Sequence, residues 1–290
     1  MFIFSQNQYL MPTITLEPLN GYNHFQETSM NYFENEMADY GIKLEVFDSA
    51  RSILGELQRV IWNNSVVKVS TSTNSNYLSG CVTDTFGAQN IERVKSHADI
   101  FISDFGYYDV ERTFGCIAID DAWSFNLEKV MRFFKNNGRF YVTSLPKLFG
   151  IPFGGLLLSS EHSLKSNLSE NKRDILLNHL NCEYQRITKY RKIREENFFT
   201  LSESLKSIGF EPFFDLRSSG FPSVGIFRAP EVFNEYRFKE LINSWGIRTT
   251  SFFGNQGIIL PIHHKLNKSE LDYIFEATRR TYSSVVGSKT

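Results

Sequence analysis

Short apolar runs separated by polar, helix-forming stretches set the rhythm of this chain. Val66 to Val69, Ile100 to Ile102, Gly115 to Ile119, Phe140 to Val142 and Leu156 to Leu158 have the length and character of buried strands. Between the runs, Ile53, Leu54, Leu57, Val60 and Ile61 recur at helical spacing behind Asp48 and Ser49, either of which can cap a helix. Leu127 to Phe134 predicts another helix, which Gly138 can end. Strands alternating with helices predict an α/β fold with a mostly parallel sheet.

Farther along, Ser169 to Ile208 predicts one long helix or two joined ones. Ile175, Leu176, Leu180, Tyr184, Ile187 and Tyr190 lie on its inner side, and Gly209 stops it. Ser223 to Phe227 returns to strand character, and Tyr236 to Trp245 to helix. Asn267 and Glu270 have capping-box spacing ahead of the apolar face formed by Leu271, Ile274 and Phe275.

Two predicted strands end in side chains suited to chemistry. Lys147 follows the strand from Arg139 to Thr143 and precedes Leu156 to Leu158, a connecting loop. A lysine that reacts with an aldehyde needs a pocket that keeps some amine neutral and a backbone that allows close approach. Pro146 disfavours a continued helix at Leu145, and Gly150, Gly154 and Gly155 permit such approach. Lys147 is therefore the leading candidate for a Schiff-base residue. The strand through Ile119 ends in Asp120-Asp121-Ala122-Trp123, at the edge where open α/β sheets place ligand groups. A carboxylate there can pair with a protonated pyridine nitrogen. The plainer readings are a solvated lysine and turn-capping aspartates.

In this order the segments resemble the fold-type I pyridoxal-phosphate (PLP) enzymes, and within them the DegT/DnrJ/StrS group of nucleotide-sugar aminotransferases. Asp120-Asp121-Ala122-Trp123 is similar to the group's acid-x-Ala-(Gln or aromatic) segment, and Ser144-Leu145-Pro146-Lys147 with Gly154-Gly155 to its lysine segment and Gly-Gly strand. Phe47 to Leu54 resembles the Ser-Gly-(Thr or Arg)-x-Ala-Leu helix start, and Ile259 to Leu266 the Leu-Pro-(Leu or Ile)-His segment. The resemblance implies a three-layer sandwich with a mostly parallel sheet plus a small C-terminal α/β domain. Residues 1–165 would form the cofactor domain, 166–209 the connecting helices and 210–290 the small domain.

On this resemblance Lys147 holds PLP, and Asp120 contacts the pyridine nitrogen, with Asp121 taking that role if the register shifts by one. Trp123 occupies the usual Gln, Tyr or His position. Ser49, Ala50, Arg51 and Ser144 bind the cofactor, chiefly at its phosphate, with Thr143 a further candidate. The implied partners are a nucleotide-linked keto-sugar, an amino donor such as glutamate and a second copy of the chain. The implied setting is surface-polysaccharide or other deoxyamino-sugar biosynthesis.

The chain departs from the group in three places. The stretch from Ser70 to Asp104 is compressed where a cofactor-stacking aromatic is usual, leaving Tyr77 as the available ring. A second contraction lies between Phe253 and Ile258, beside Asn255 and Gln256, which could contact substrate. Ala50 stands where the group has glycine. Two further readings follow: another PLP-dependent sugar-modifying enzyme, against which a lysine at 147 favours transamination, and a catalytically degenerate binding protein.

Composition narrows the field. Lys and Arg number 31 against 32 Asp and Glu, which leaves no basic footprint for nucleic acid. The basic residues from Lys172 to Arg194 interleave with acids, as on a solvated helix face. Cys81, Cys116 and Cys182 form no CxxC pair or disulfide framework, so a reducing cytoplasm is expected. Met1 to Phe4 lack the basic region of a signal peptide, and no stretch reaches the roughly 18 apolar residues of a membrane span. His263 and His264, being neighbours, point apart and predict no metal site. Phe213-Phe214 and Phe252-Phe253 read as core or domain contact rather than a base-stacking platform.

Overall fold

The computed structural model describes Ile14, Thr15, Pro18 and residues 31–73, 78–107, 111–160, 164–214, 222–252 and 254–286. Tyr77 and Phe253 lie outside the described residues. The chain divides into two compact units. The larger comprises the described residues within Glu17–Lys192 and Asp215–Ser223; the smaller comprises those within Ile193–Phe214 and Val224–Thr290, with Ile14 and Thr15.

The larger unit is built on seven strands: β1 (Lys43–Phe47), β2 (Val67–Thr71), β3 (Ile91–Arg93), β4 (Ile100–Ile102), β5 (Ala118–Asp120), β6 (Phe140–Ser144) and β7 (Gly155–Ser159), ordered β1-β7-β6-β5-β4-β2-β3. β3, β2, β4, β5 and β6 run parallel, whereas β7 is antiparallel to both β6 and β1. The reversal has a simple cause. Between β6 and β7 lies little more than the short helix α5 (Leu145–Phe149), and a parallel crossover needs about a dozen residues or more.

Strand alternation sends side chains into two separate apolar layers. Val46, Phe101, Ile119, Tyr141, Leu156 and Leu158 face one layer, which also takes residues of α1 (Tyr32–Asp39), α4 (Leu127–Lys135), α5 and α6 (Glu170–Tyr184). Phe47, Val69, Ile100, Ile102, Phe140, Val142 and Leu157 face the other, beneath α2 (Ala50–Val60) and α3 (Gly80–Phe86). Each strand carries apolar residues at successive positions because both faces are covered.

Several local expectations change. Lys147 lies in α5 rather than on a loop, because proline is tolerated in the first turn of a helix, where its missing N–H has no acceptor to lose. In α2, Ile53, Leu54 and Leu57 are buried, but Val60 is 47% exposed, and Trp62 packs into that layer beyond the helix end. Ile175 is 40% exposed, while Leu176, Leu180 and Tyr184 carry the inner face of α6. α4 ends at Lys135, ahead of Gly138, and Asn137 takes the left-handed conformation at φ 65°. Gly138 N–H closes the helix by donating to the Phe133 carbonyl at 3.1 Å, and the glycine also serves packing, since a Cβ there would come within 2.3 Å of the Phe133 ring.

The smaller unit holds an antiparallel sheet ordered β10-β11-β9-β8, made of β8 (Glu211–Pro212), β9 (Val224–Arg228), β10 (Thr250–Phe252) and β11 (Gly257–Pro261). It also contains α8 (Glu235–Ser244) and α9 (Lys268–Val286), and the division between units falls inside α7 (Ile187–Lys206). The capping box forms reciprocally. Asn267 N–H donates to Glu270 Oε2 at 2.8 Å, and Glu270 N–H to Asn267 Oδ1 at 3.0 Å. His263 Nε2 lies 3.0 Å from the Thr15 carbonyl, and Arg194 Nη2 lies 3.1 Å from His264 Nδ1. Burial pushes His263 down to about 4, so it is a neutral hydrogen-bonding core group at neutral pH. Phe213 and Phe252 pack edge to face with centroids 5.2 Å apart.

Gly155 joins three elements of the larger unit. A Cβ there would sit 2.4 Å from Ala50 N and 2.5 Å from Ser49 C, so the start of β7 lies directly against the first turn of α2. Gly155→Ala should lower stability by roughly 1–3 kcal/mol through this overpacking. The check is the urea midpoint at unchanged slope; a midpoint equal to wild type would refute the close contact.

Candidate active site

At the ends of β4 and β5, beside the first turn of α2, a cavity of about 50 Å³ is lined by residues that include Ala50, Ser79, Cys81, Asp104, Phe105, Asp120, Ala122, Trp123 and Lys147. Lys147 Nζ lies 4.5 Å from the centroid of the Trp123 ring, a cation–π contact, and Phe105 packs on the same tryptophan at 5.8 Å. The helix that carries the lysine is tied down from outside: Ser223 Oγ donates to the Lys147 carbonyl at 2.5 Å. Gly150 closes α5 in the left-handed conformation at φ 72°. The cavity as it stands has room for about one or two waters. A larger ligand is seated only with movement of its lining, in which Lys147 has four rotatable bonds.

The two adjacent aspartates have different surroundings. Asp121 accepts from Ser124 Oγ at 2.7 and 2.8 Å and from Tyr141 Oη at 2.7 Å, which occupies it in the layer that holds Tyr141. Asp120 lines the cavity, is 6% exposed, and its Oδ1 is buried without a hydrogen-bond partner. Burial pushes the Asp120 carboxyl up to about 6, opposed by attraction to Lys147. An unsatisfied buried carboxylate oxygen facing a cavity calls for a cationic or proton-bearing ligand atom.

The first turn of α2 supplies the opposite polarity. Ser49 is its N-cap, with Oγ accepting from Ser52 N–H at 3.1 Å, and Ala50 lines the cavity. The amides that open a helix have no intrahelical acceptor and favour an anion. Ser144 is the register partner of Gly155, which packs on this same turn, and strand alternation turns it to the α2 side of the sheet. Ser144 thus lies on the side of the sheet that meets the first turn of α2, while Ala50, Asp120, Trp123 and Lys147 share the cavity, whose lining includes neither Ser49 nor Ser144. Two sequence candidates do not line the cavity. The Arg51 side chain is exposed, its pKa raised by the neighbouring Cys81 sulfur, and Thr143 Oγ1 donates to the Ser124 carbonyl at 3.4 Å. Asn255 and Gln256 belong to the smaller unit, where Gln256 N–H donates to Glu235 Oε1 at 3.0 Å.

Asp104 was not anticipated from sequence. It is buried in the cavity wall and accepts from Thr73 N–H at 3.2 Å and Thr73 Oγ1 at 2.8 Å, tying the segment after β2 to the end of β4. Burial pushes its carboxyl up to about 6. The signal was present: Ile100-Phe101-Ile102-Ser103-Asp104 is, like Ala118-Ile119-Asp120, an apolar strand ending in an acid. Among the described residues no group of three metal-ligating side chains occurs, and no helix is long and apolar enough to cross a membrane.

No family model and no curated protein sequence matches the chain. Solved structures do. A protein described as a sugar aminotransferase from Streptococcus pneumoniae, in its PLP form, superposes with a TM-score of 0.62 at 12% identity, covering 89% of this chain and 92% of that one. The aminotransferase TlmJ from Streptoalloteichus hindustanus gives 0.61 at 11% identity, over 89% and 92%. A NifS-like protein from Rickettsia africae gives 0.58 at 10%, over 85% and 83%. The chain therefore has the α/β fold of the fold-type I PLP transferases.

The strained charge on Asp120 has a measurable consequence. Its native pKa lies above the unfolded value, so the folded state binds the proton more tightly, and stability falls as pH rises from about 4 to about 6. Asp120→Asn removes that burden and should raise unfolding stability at pH 7.5 by up to about 3 kcal/mol, a shift of several degrees in Tm. At pH 4.5 the difference should shrink towards zero. Paired thermal melts at the two pH values check this, and a lower Tm for the variant at pH 7.5 would contradict it.

Proposed function

We propose that this chain is a PLP-dependent aminotransferase that acts on a nucleotide-linked keto-sugar, with an amino donor such as glutamate, as a cytoplasmic homodimer. The observation that carries the reading is the pairing, in one cavity, of a buried carboxylate oxygen without a hydrogen-bond donor and a lysine amine. The residues fit the cofactor. Asp120 Oδ1 would meet the ring nitrogen, and Lys147 Nζ would bind the aldehyde carbon. The opening amides of α2 with Ser144 would take the phosphate, and Ala122 and Trp123 would bound the ring. The choice of a sugar acceptor is supported by the motif order of the sequence and by the likeness to the Streptococcus pneumoniae protein.

Bound there, the cofactor supplies an electron sink for the pair left on carbon when a Cα–H bond breaks. The chain's own part is positional and electrostatic. Asp120, ionised above about pH 6, holds positive charge at the ring nitrogen. Lys147, with its amine free, would serve as the base at the donor's Cα. The Ser223 contact to the Lys147 carbonyl fixes the backbone from which that amine swings. Buried Phe105 and half-buried Trp123, packed on each other, would limit water around the reacting atoms.

Incubation with PLP, borohydride reduction and peptide mapping should place an adduct on Lys147. Lys147→Ala should lose the adduct, keep a cooperative unfolding transition, and lower amino transfer from glutamate to nucleotide keto-sugars by roughly 100- to 10,000-fold or more. Equal trapping in the variant would remove Lys147 from the role, and no adduct in the wild type would favour the binding-protein reading.

A further inference from the structure

Acids outnumber bases around the cavity. Its lining carries two carboxylates, Asp104 and Asp120, against the one amine of Lys147. Asp121, buried and next in the chain, repels charge on Asp120 from behind. The two lining carboxylates differ as acceptors. Asp104 Oδ2 already receives Thr73 N–H and Oγ1, whereas Asp120, 6% exposed, has an Oδ1 that receives nothing. Lys147 attracts Asp120 but leaves that oxygen unbonded, with its Nζ held over the Trp123 ring at 4.5 Å. Phe105 packs on the same tryptophan, so two aromatic rings belong to the lining. An open carboxylate oxygen beside aromatic rings suits a cation that carries N–H donors, and a volume of about 50 Å³ limits that cation to the size of one or two waters. Among the described residues no group of three His, Cys, Asp or Glu side chains could hold a metal ion.

We propose that the chain free of PLP binds a single ammonium ion in this cavity, with one N–H donated to Asp120 Oδ1 and the Phe105 and Trp123 rings beside it. A water donates to that oxygen but leaves its charge uncompensated. Ammonium does both, through a charge-assisted hydrogen bond between buried groups. Its size is close to that of water, so the lining need not move. The ion takes the oxygen that the ring nitrogen would meet in the proposed cofactor site, so ammonium and PLP would exclude each other. That consequence rests on the cofactor reading, whereas occupation of the PLP-free chain does not.

The test is thermal melting of the full PLP-free chain at pH 7.5 in ammonium chloride, with potassium chloride and tetramethylammonium chloride compared at equal ionic strength. Potassium has a similar size and the same charge but no N–H, and tetramethylammonium has the charge but neither the size nor the donor. Ammonium should raise Tm saturably, by about 2–3 °C more than either salt at ten times its half-saturating concentration. Asp120→Asn, which keeps the shape and removes the charge, should melt at one temperature in ammonium and potassium. A shift shared by potassium, a shift that never saturates, or one that survives in Asp120→Asn would overturn the proposal. PLP trapping on Lys147 in parallel separates the two readings. An ammonium-selective shift in a chain that traps no PLP supports the ammonium site and defeats the cofactor reading. PLP trapped on Lys147 in a chain that shows no such shift does the reverse.

Discussion

The missing side chain at Gly155 is the constraint on which the site depends. Because nothing projects from that Cα, β7 can begin against the backbone of Ser49 and Ala50. Its register partners are Phe47 on β1 and Ser144 on β6, so one glycine brings together the start of α2, the hydroxyl ahead of α5 and the edge of the sheet. An anion-favouring helix start is held there by this close packing and by the Gly154 N–H, which donates to the Asp48 carbonyl at 3.0 Å. No single motif in the chain states this arrangement; it joins Phe47 to Ala50 with Ser144 and Gly155, which lie about a hundred residues farther along.

The other polarity of the site follows from the geometry of a strand. Successive residues of β5 and its extension point to opposite faces, so Asp120 and Asp121 enter different environments despite being neighbours. One is satisfied by Ser124 and Tyr141 inside a packed layer. The other is left with an unpartnered oxygen at a cavity and an ionisation made costly by burial. A group held in an unfavourable state without its ligand is stabilised when the ligand arrives, which is the usual trade between stability and function at such sites. Asp104 adds a second buried carboxylate to the same wall, satisfied by Thr73 rather than left open.

Much of the architecture was legible in the sequence. Apolar runs at Ile100 to Ile102, Phe140 to Val142 and Leu156 to Leu158 mark the central strands, because buried strands need apolar residues on both faces. Ser49 ahead of Ile53, Leu54 and Leu57 marks a helix start, and the Asn267 and Glu270 pair another. Less legible were features set by neighbours. The helical state of Lys147 required knowing that Pro146 falls in a first turn, and the exposure of Val60 that Trp62 packs into the apolar layer beyond the helix end. Gly138 does help end α4, but that its bare Cα also leaves room for the Phe133 ring is visible only in the packing.

The sequence by itself determined the element order, the two-sided character of the sheet and the presence of an acid and a lysine at the ends of adjacent strands. These are properties of local pattern, and pattern is carried along the chain. Which aspartate faces the cavity, which hydroxyl stands beside the helix start, and that Cys81 shares a space with Lys147 were decided only in the tertiary structure. Each depends on strand register and on the approach of segments far apart in sequence. A shift of one residue in register would exchange the faces of Asp120 and Asp121 without changing the composition of the chain.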